Sequence, residues 1–253
     1  MENTRPLAVV ILAAGQGKRM GNPAQAKVLA DLNGKPLLGY VLEQSSRLLA
    51  TTTVVIVGHQ REAVAGFVAQ AYPQAVCVVQ DKQLGTGHAV MQTAPFLAHT
   101  DTDVLILSGD VPLLKHTSLE GLLSHHRSTR AVATVVTANV PNPFGYGRIL
   151  KDAQGKLVAI VEHKDATEEQ REISEINSGI YLVRSEALYP ALERVGNTNA
   201  QGEFYLTDIV GILQKDNNHI ESWCVPHWEE VHGINTVDDL QRAWEILEQR
   251  SAT

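Results

Sequence analysis

Cysteine is scarce in this chain of 253 residues: there are two, Cys77 and Cys224, far apart in sequence. They read as packed thiols of a reducing cytosol, and neither they nor the ten histidines show the close spacing of a zinc site. Long apolar runs are missing too. None approaches the roughly 20 residues needed to span a bilayer. Met1 to Pro6 is polar and holds no apolar signal core, so the expected location is cytoplasmic. Positive charge is not in excess either. The formal net charge is −7, which argues against non-specific binding to nucleic acid or to an anionic membrane. A phosphate ligand must then be held by local cations, by backbone N–H groups or by a metal. There is no internal repeat and no low-complexity segment. No Ser-His-Asp grouping or nucleophile elbow offers a covalent mechanism.

What is present suits a globular α/β protein. Hydrophobic residues make up 44% of the chain, enough for a sizeable core in one domain or two small lobes. Near the start, the apolar run Leu7 to Leu12 stops at Ala13-Ala14 and the glycines Gly15 and Gly17. Lys18 and Arg19 follow at once, and Lys27 a little later. A short apolar run closed by glycines reads as a buried parallel strand. Glycines without Cβ atoms let backbone N–H groups approach an anion, and the cations add charge there. The segment is neither a dinucleotide fingerprint, since Met20 takes the third glycine slot, nor a Walker loop, since Leu12 takes the first. A plain tight turn accounts for the glycines alone; the three cations favour a phosphate loop.

Further along, strands are expected at Thr52 to Val57, Val76 to Val79 and Asp103 to Leu107, with helices at Pro36 to Leu49, Arg61 to Ala71 and Gly87 to Leu97. That β-α alternation predicts a parallel three-layer sheet with its ligand at the carboxyl ends of the strands. In the second half, strands are expected at Ala131 to Ala138, Gly147 to Lys151, Leu157 to Glu162, Gly179 to Val183 and Glu221 to Val225. Helices are expected at Ser185 to Arg194, Glu203 to Gln214 and Val237 to Glu248. A nucleotide lobe (about 1–115) and an acceptor lobe (about 116–253) would share one sheet.

The residues able to carry chemistry cluster at the predicted strand ends. Asp110 closes Leu-Ser-Gly-Asp and can hold Mg²⁺ or cap a turn. Gln80 and Gly85-Thr86 can offer an amide and an N–H to a base edge, or Thr86 can cap a helix. Glu162 and Asn177 can take sugar hydroxyls, with Gly147 letting the chain come close; a strand end and a turn also account for them. Asn235 can be a metal ligand or an N-cap.

Taken in order, Leu12-Ala-Ala-Gly-Gln-Gly-Lys-Arg-Met20 with Lys27-Val-Leu, Gln83-Leu-Gly-Thr-Gly-His-Ala89, Gly109-Asp-Val-Pro112, Gly145-Tyr-Gly-Arg-Ile149, Val161-Glu-His-Lys-Asp-Ala-Thr167, Glu175-Ile-Asn177, Asn199-Ala-Gln-Gly-Glu203, Leu206-Thr-Asp208 and Gly233-Ile-Asn235 resemble the nucleotide-sugar pyrophosphorylases. The likeness is greatest to the uridylyltransferase domain of the bacterial N-acetylglucosamine-1-phosphate branch. It implies a Rossmann-like, mixed but mainly parallel sheet with helices on both faces. It implies UTP and N-acetylglucosamine 1-phosphate as partners, with neither nucleic acid nor membrane, and a monomer or small homo-oligomer. Leu12, Ala13, Ala14, Gly15, Gln80, Gly85 and Thr86 would bind the nucleotide. Arg19 and Lys27 would face the phosphates as catalytic cations. Gly147, Glu162 and Asn177 would bind the sugar, and Asp110 and Asn235 would hold Mg²⁺. Another sugar 1-phosphate or nucleotide is an alternative, as is a non-catalytic sensor, which would need neither the metal ligands nor Lys27. Lys18, Ala26, Ser108 and Thr236 depart from the family pattern. No hexapeptide repeats follow the last helix, so a left-handed β-helix acetyltransferase domain, its activity and its trimer are not expected.

Overall fold

The computed structural model describes residues 5–17, 20 and 25–251. Lys18 and Arg19 lie outside the described residues. The strands are β1 (Leu7–Ala13), β2 (Asp31–Leu32), β3 (Lys35–Pro36), β4 (Thr52–Val57), β5 (Val76–Val79), β6 (Asp103–Ser108), β7 (Ala133–Asn139), β8 (Arg148–Lys151), β9 (Leu157–Val161), β10 (Glu175–Arg184) and β11 (Ile220–Cys224). The helices are α1 (Leu37–Arg47), α2 (Arg61–Ala71), α3 (Thr86–Met91), α4 (Ala94–Leu97), α5 (His116–Thr129), α6 (Glu168–Arg171), α7 (Ser185–Leu192), α8 (Asp208–Lys215) and α9 (Val237–Ser251). Short 3₁₀ turns cover Lys27–Leu29 and Trp228–Val231. No described helix is long and apolar enough to cross a membrane.

The main sheet runs β11-β7-β10-β6-β1-β4-β5, with β8 and β9 attached through β10. β1 pairs in parallel with β4 and β6, and β4 with β5, as the alternation predicted. β10 is antiparallel to both β6 and β7, which makes the sheet mixed. Its antiparallel course has a consequence for the site. The beginning of β10 lies at the same edge as the carboxyl ends of β1, β6 and β7. Residues from the second half thus reach the edge that the glycine loop occupies.

Strands covered on both faces need apolar residues at successive positions, and alternate residues then serve opposite cores. Val9, Ile11, Val55, Val57, Leu105 and Leu107 pack with Leu38 and Leu42 of α1, Val64 and Val68 of α2, and Leu119 and Leu122 of α5. Ala8, Val10, Val54, Ile56, Val104 and Ile106 pack on the other side with Val90 of α3, Leu188 and Leu192 of α7, and Ile209 and Leu213 of α8. A smaller cluster of Leu32, Leu37, Leu113, Ile234 and Ala243 fastens α9 to the β2–β3 hairpin.

Three expectations are corrected. The helix from Gly87 to Leu97 is broken between α3 and α4. Pro95 sits in the first turn of α4, and a proline disfavours helical backbone just before it. The helix expected from Glu203 begins only at Asp208, because Phe204 pairs through its backbone with Leu84 and Gly87 and the turn at 206–207 then leads into α8. Asn177 is not at a strand end: β10 begins two residues earlier, and its register against β7 shifts between Asn177 and Tyr181.

Leu105 is fully buried in β6, whereas Leu49 is 88% exposed. Leu105→Ala should cost about 2–5 kcal/mol and Leu49→Ala less than about 0.5 kcal/mol. Urea unfolding of the two variants checks this; a comparable loss in both would contradict the two-sided core.

Candidate functional site

At the carboxyl ends of β1 and β6, the chain encloses a cavity of about 260 Å³. Its walls include Leu12, Ala14 and Gly15 from the end of β1, Gln80, Gly85 and Thr86 from the β5–α3 connection, and Lys27 and Asp110 at one end. A Cβ on Gly15 would meet no protein atom within 4 Å. Ala13 does not line this cavity; its methyl group is buried in the sheet core. Gly17 has φ +60, and a Cβ there would lie 2.4 Å from the Lys27 Cβ. Gly17 therefore lets the lysine stem pass close beneath the loop.

Lys27 leaves the first residue of its 3₁₀ turn and points its ammonium at two oxygens. One is Asp110 Oδ2, in an ion pair, and the other is Asn235 Oδ1, at 3.0 Å. Asp110 is delivered by two backbone bonds. Gly109 N donates to Leu12 O at 2.9 Å, and Ile234 N donates to Asp110 O at 2.9 Å. Residues distant in sequence thus converge on one cation. Among the described residues there is no group of three or more His, Cys, Asp or Glu able to hold a metal. One carboxylate and one amide oxygen already share a cation here, and Mg²⁺ often takes few protein oxygens and completes its shell with phosphate and water. The donor set fits such an ion.

The base-side candidates are already engaged. Gln80 is buried, with Nε2 donating to Gly85 O at 3.1 Å and lying 3.0 Å from His88 Nδ1. Thr86 is not a helix cap. The cap position of α3 is Gly85, and the Thr86 hydroxyl accepts from Leu206 N at 3.1 Å. Gly85 has φ +114, and a Cβ on it would fall 2.5 Å from Phe204 O. Only glycine fits that backbone and that contact.

The three sugar candidates also meet. A Cβ on Gly147 would lie 3.6 Å from both the Glu162 carboxyl carbon and the Asn177 Cβ, and Asn177 N donates to Gly147 O at 2.9 Å. Asn177 Oδ1 accepts from Gly179 N at 3.1 Å, inside the irregular stretch of β10, where Gly179 has φ +79. Glu162 Oε1 accepts from the Thr207 hydroxyl at 3.2 Å. Burial pushes the Glu162 carboxyl up; the Thr207 bond opposes this, while Asp165, Asp208 and Glu203 add to it. Ser108 lines the cavity and also reaches towards the second group, with its Oγ 3.4 Å from where a Gly179 Cβ would stand.

Two features were not anticipated from the sequence. Segment 203–207 is a strap: Phe204 N donates to Leu84 O and Gly87 N to Phe204 O, each at 2.8 Å. Leu206 binds Thr86 and Thr207 binds Glu162, so adjacent strap residues touch both groups. The second feature is the start of α9. Thr236 and Asp239 form a capping box: Asp239 N donates to Thr236 Oγ1 at 3.1 Å, and Thr236 N donates to Asp239 Oδ2 at 2.8 Å. Asn235 therefore does not cap the helix itself. Its N–H also donates to Asp239 Oδ2, at 2.9 Å. Burial raises the Asp239 carboxyl, but His232 and the Asn235 and Thr236 bonds outweigh it and hold the group below the usual carboxylate range. The Thr-x-x-Asp spacing was a readable sign of this cap.

The model of the MobA-like NTP transferase domain matches residues 9–203. The chain is 44% identical over 241 residues to the bifunctional protein GlmU of Geobacillus sp. (strain WCH70), covering 95% of this chain and 52% of that protein. It is 42% identical over 252 residues to the bifunctional protein GlmU of Desulfotalea psychrophila, covering 99% of this chain and 73% of that protein. The chain thus spans about half the length of the Geobacillus relative. Among solved structures, a UDP-glucose pyrophosphorylase complexed with UDP-glucose superposes with a TM-score of 0.77 at 15% identity, covering 97% of this chain and 99% of that one. A putative glucose-1-phosphate thymidylyltransferase from Bacillus anthracis gives a TM-score of 0.73 at 21% identity, covering 95% and 94%. These two share the fold.

The raised Glu162 carboxyl has a consequence for stability. A carboxyl that binds its proton more tightly when folded stabilises the protein fully below the unfolded pKa, about 4.3. That contribution is lost as pH rises through the higher folded value. Glu162→Gln keeps an acceptor for Thr207 and removes the buried charge. Its Tm should exceed that of the wild type at about pH 8 and converge with it below about pH 4. Calorimetric melts across that range check the sign; a lower Tm for the variant at the alkaline end would mean that the ionised form is favoured.

Proposed function

The chain belongs to the MobA-like NTP transferase domain family, and we propose that it joins UTP and N-acetylglucosamine 1-phosphate into UDP-N-acetylglucosamine and pyrophosphate. The observation that carries this reading is the meeting of Lys27, Asp110 and Asn235 at the end of a cavity walled by the glycine loop. The identity to the two GlmU relatives supports it, as does the placement of Gly147, Glu162 and Asn177 together beyond Ser108.

In this reading, Leu12, Ala14 and Gly15 flank the nucleotide, and Ala13 contributes backbone alone. Gln80 shapes the base pocket by fixing the Gly85 carbonyl, and the Thr86 hydroxyl keeps its own hydrogen to donate while accepting from Leu206. Glu162 and Asn177 take hydroxyls of the sugar, and Gly147 leaves room for it. The nucleotide side is residues 1–115 and the acceptor side is 116–253, with the strap crossing between them. A phosphate oxygen of the sugar phosphate attacks the α-phosphorus. As that bond forms, the bond from the α-phosphorus to the bridging oxygen breaks, and the electron pair leaves with pyrophosphate. No protein nucleophile takes part. Lys27 neutralises charge on the phosphates, and Arg19 is assigned the same task from its place in the sequence. Asp110 and Asn235 would hold Mg²⁺, which supplies further neutralisation of phosphate charge when bound. The protein's part is positioning and preset charge.

A second reading, with another sugar phosphate as acceptor, draws on Ser108, a small side chain between the two groups. Pyrophosphate release with UTP and a panel of sugar 1-phosphates separates the readings, and the N-acetylglucosamine compound should give the highest kcat/KM. No release with any acceptor would leave a nucleotide-sugar sensor. Asp110→Ala should lower kcat about 100-fold or more and change the KM for sugar phosphate much less. An unaltered kcat would remove Asp110 from the phosphate chemistry. Glu162→Ala should cost about 1–3 kcal/mol in sugar-phosphate binding and leave UTP binding nearly intact. Equal losses for both ligands would contradict the division into two sides.

A further inference from the structure

A chain of hydrogen bonds outside the cavity connects the two groups of residues by a second route. Tyr146 lies between Gly145 and Gly147, in the loop that brings Gly147 to Asn177. Its hydroxyl is 2.9 Å from His232 Nδ1. His232 Nε2 is 3.0 Å from Asp239 Oδ1. The other oxygen of Asp239 accepts from the N–H groups of Asn235 and Thr236. A carboxylate can only accept, so His232 carries a proton on Nε2, and the tyrosine hydroxyl, able to donate or accept, meets Nδ1. Every donor and acceptor in the chain then has a matching sense.

A capping box accounts for one oxygen of Asp239 but not for the other. Capping needs Oδ2 alone, and His232 and Tyr146 add nothing to a helix start. His232 is itself held: the Trp228 ring meets it edge-on at 5.7 Å, and Arg242 lies over Trp228 at 4.9 Å. At the far end, the Tyr146 carbonyl accepts from buried Arg148, and Tyr146 N donates to Pro143 O at 3.2 Å. Both ends of the relay are therefore fixed to backbone that carries a site residue, Gly147 at one end and Asn235 at the other.

We propose that Tyr146, His232 and Asp239 are positioning residues that tie the acceptor-side loop to Asn235, so that the hold on a divalent cation depends on a hydroxyl in the opposite group. This rests on the reading of Asp110 and Asn235 as the cation's ligands. Asp239 fixes the Asn235 backbone directly. Tyr146 acts through two intervening bonds, and an acceptor settling against Gly147 works on the same strut.

The test uses the full chain with UTP present and Mn²⁺ as the probe, with free Mn²⁺ read by electron paramagnetic resonance. Tyr146→Phe removes one hydroxyl and should weaken Mn²⁺ binding about fivefold, the size of one neutral hydrogen bond. Asp239→Ala should weaken it about 10-fold or more, as loss of outer-shell partners does. The double variant should be no worse than Asp239→Ala alone. Asp238→Ala, which removes an exposed carboxylate from the same helical turn, should leave Mn²⁺ affinity unchanged. A silent Tyr146→Phe in a protein whose Mn²⁺ binding is abolished by Asp110→Ala would overturn the relay and leave the cation site standing. So would losses from Tyr146→Phe and Asp239→Ala that multiply independently. Mn²⁺ binding that ignores Asp110→Ala would take down both the relay and the ligand assignment.

Discussion

The ammonium of Lys27 between Asp110 and Asn235 is the contact on which the site depends. It gathers the glycine loop, the end of the central strand β6 and the start of the last helix around one charge. Without a cation between them, the oxygens of Asp110 and Asn235 would face each other across a partly buried space with only water to offset them. The backbone enforces the meeting before the charges do. Gly17 lets the lysine stem through, Gly109 is drawn onto the end of β1, and Ile234 reaches back to the Asp110 carbonyl. A protein with a net charge of −7 has no general field to attract a polyphosphate. Its local cation is thus held in the wall of the cavity, beside the small residues Ala14 and Gly15.

The mixed sheet explains how a second group of residues comes within reach. A wholly parallel continuation of β6 would have placed the Asn177 end of β10 at the opposite edge. Reversing β10 brings Gly179 beside Ser108, and where the register shifts after Asn177 the Asn177 side-chain oxygen accepts from Gly179 N. The strap then joins the groups covalently through consecutive residues, with Leu206 on Thr86 and Thr207 on Glu162. Gly85 and Gly87 are glycines because the strap's backbone lies where their side chains would be, at 2.5 Å and 3.0 Å from Phe204 O.

How much of this could be read in advance follows the range of the forces involved. The strands β1, β4 and β6 were legible because burial on both faces demands apolar runs, and Val54 to Val57 or Val104 to Leu107 admit little else; β5, a half-exposed edge strand, was legible from its β-branched valines. α5 carried the signal too, in Leu119, Leu122 and Leu123 at helical spacing, although no helix was expected there. The strap was misread as helix because its local propensity is real, while its partner lies about 120 residues away in sequence. The same holds for Thr86, whose position after a glycine suggests a cap and whose hydroxyl serves a distant N–H. The segments bearing Asp110, Glu162 and Asn177 were visible as polar residues interrupting apolar runs. The His232 bridge was not, since a lone histidine has no spacing to betray its partners.

The elements that carry the site are joined differently from those that carry the fold. The sheet and its two cores are held by apolar packing, where losing one buried leucine costs several kcal/mol. The strap and the start of α9 set one buried side chain each, Leu206 and Ile234, into apolar clusters, but their polar groups reach the site through single hydrogen bonds, each worth about 1 kcal/mol. A ligand can therefore exchange those bonds for its own without disturbing the cores beneath, because local openings draw on the weakest contacts first. This division requires that the loops be numerous and mutually braced, since no one bond can position a carboxylate or an amide. Thr207 on Glu162, Asp239 on Asn235 and Ile234 on Asp110 meet that need, each fixing a functional group from a neighbouring loop and not from the core.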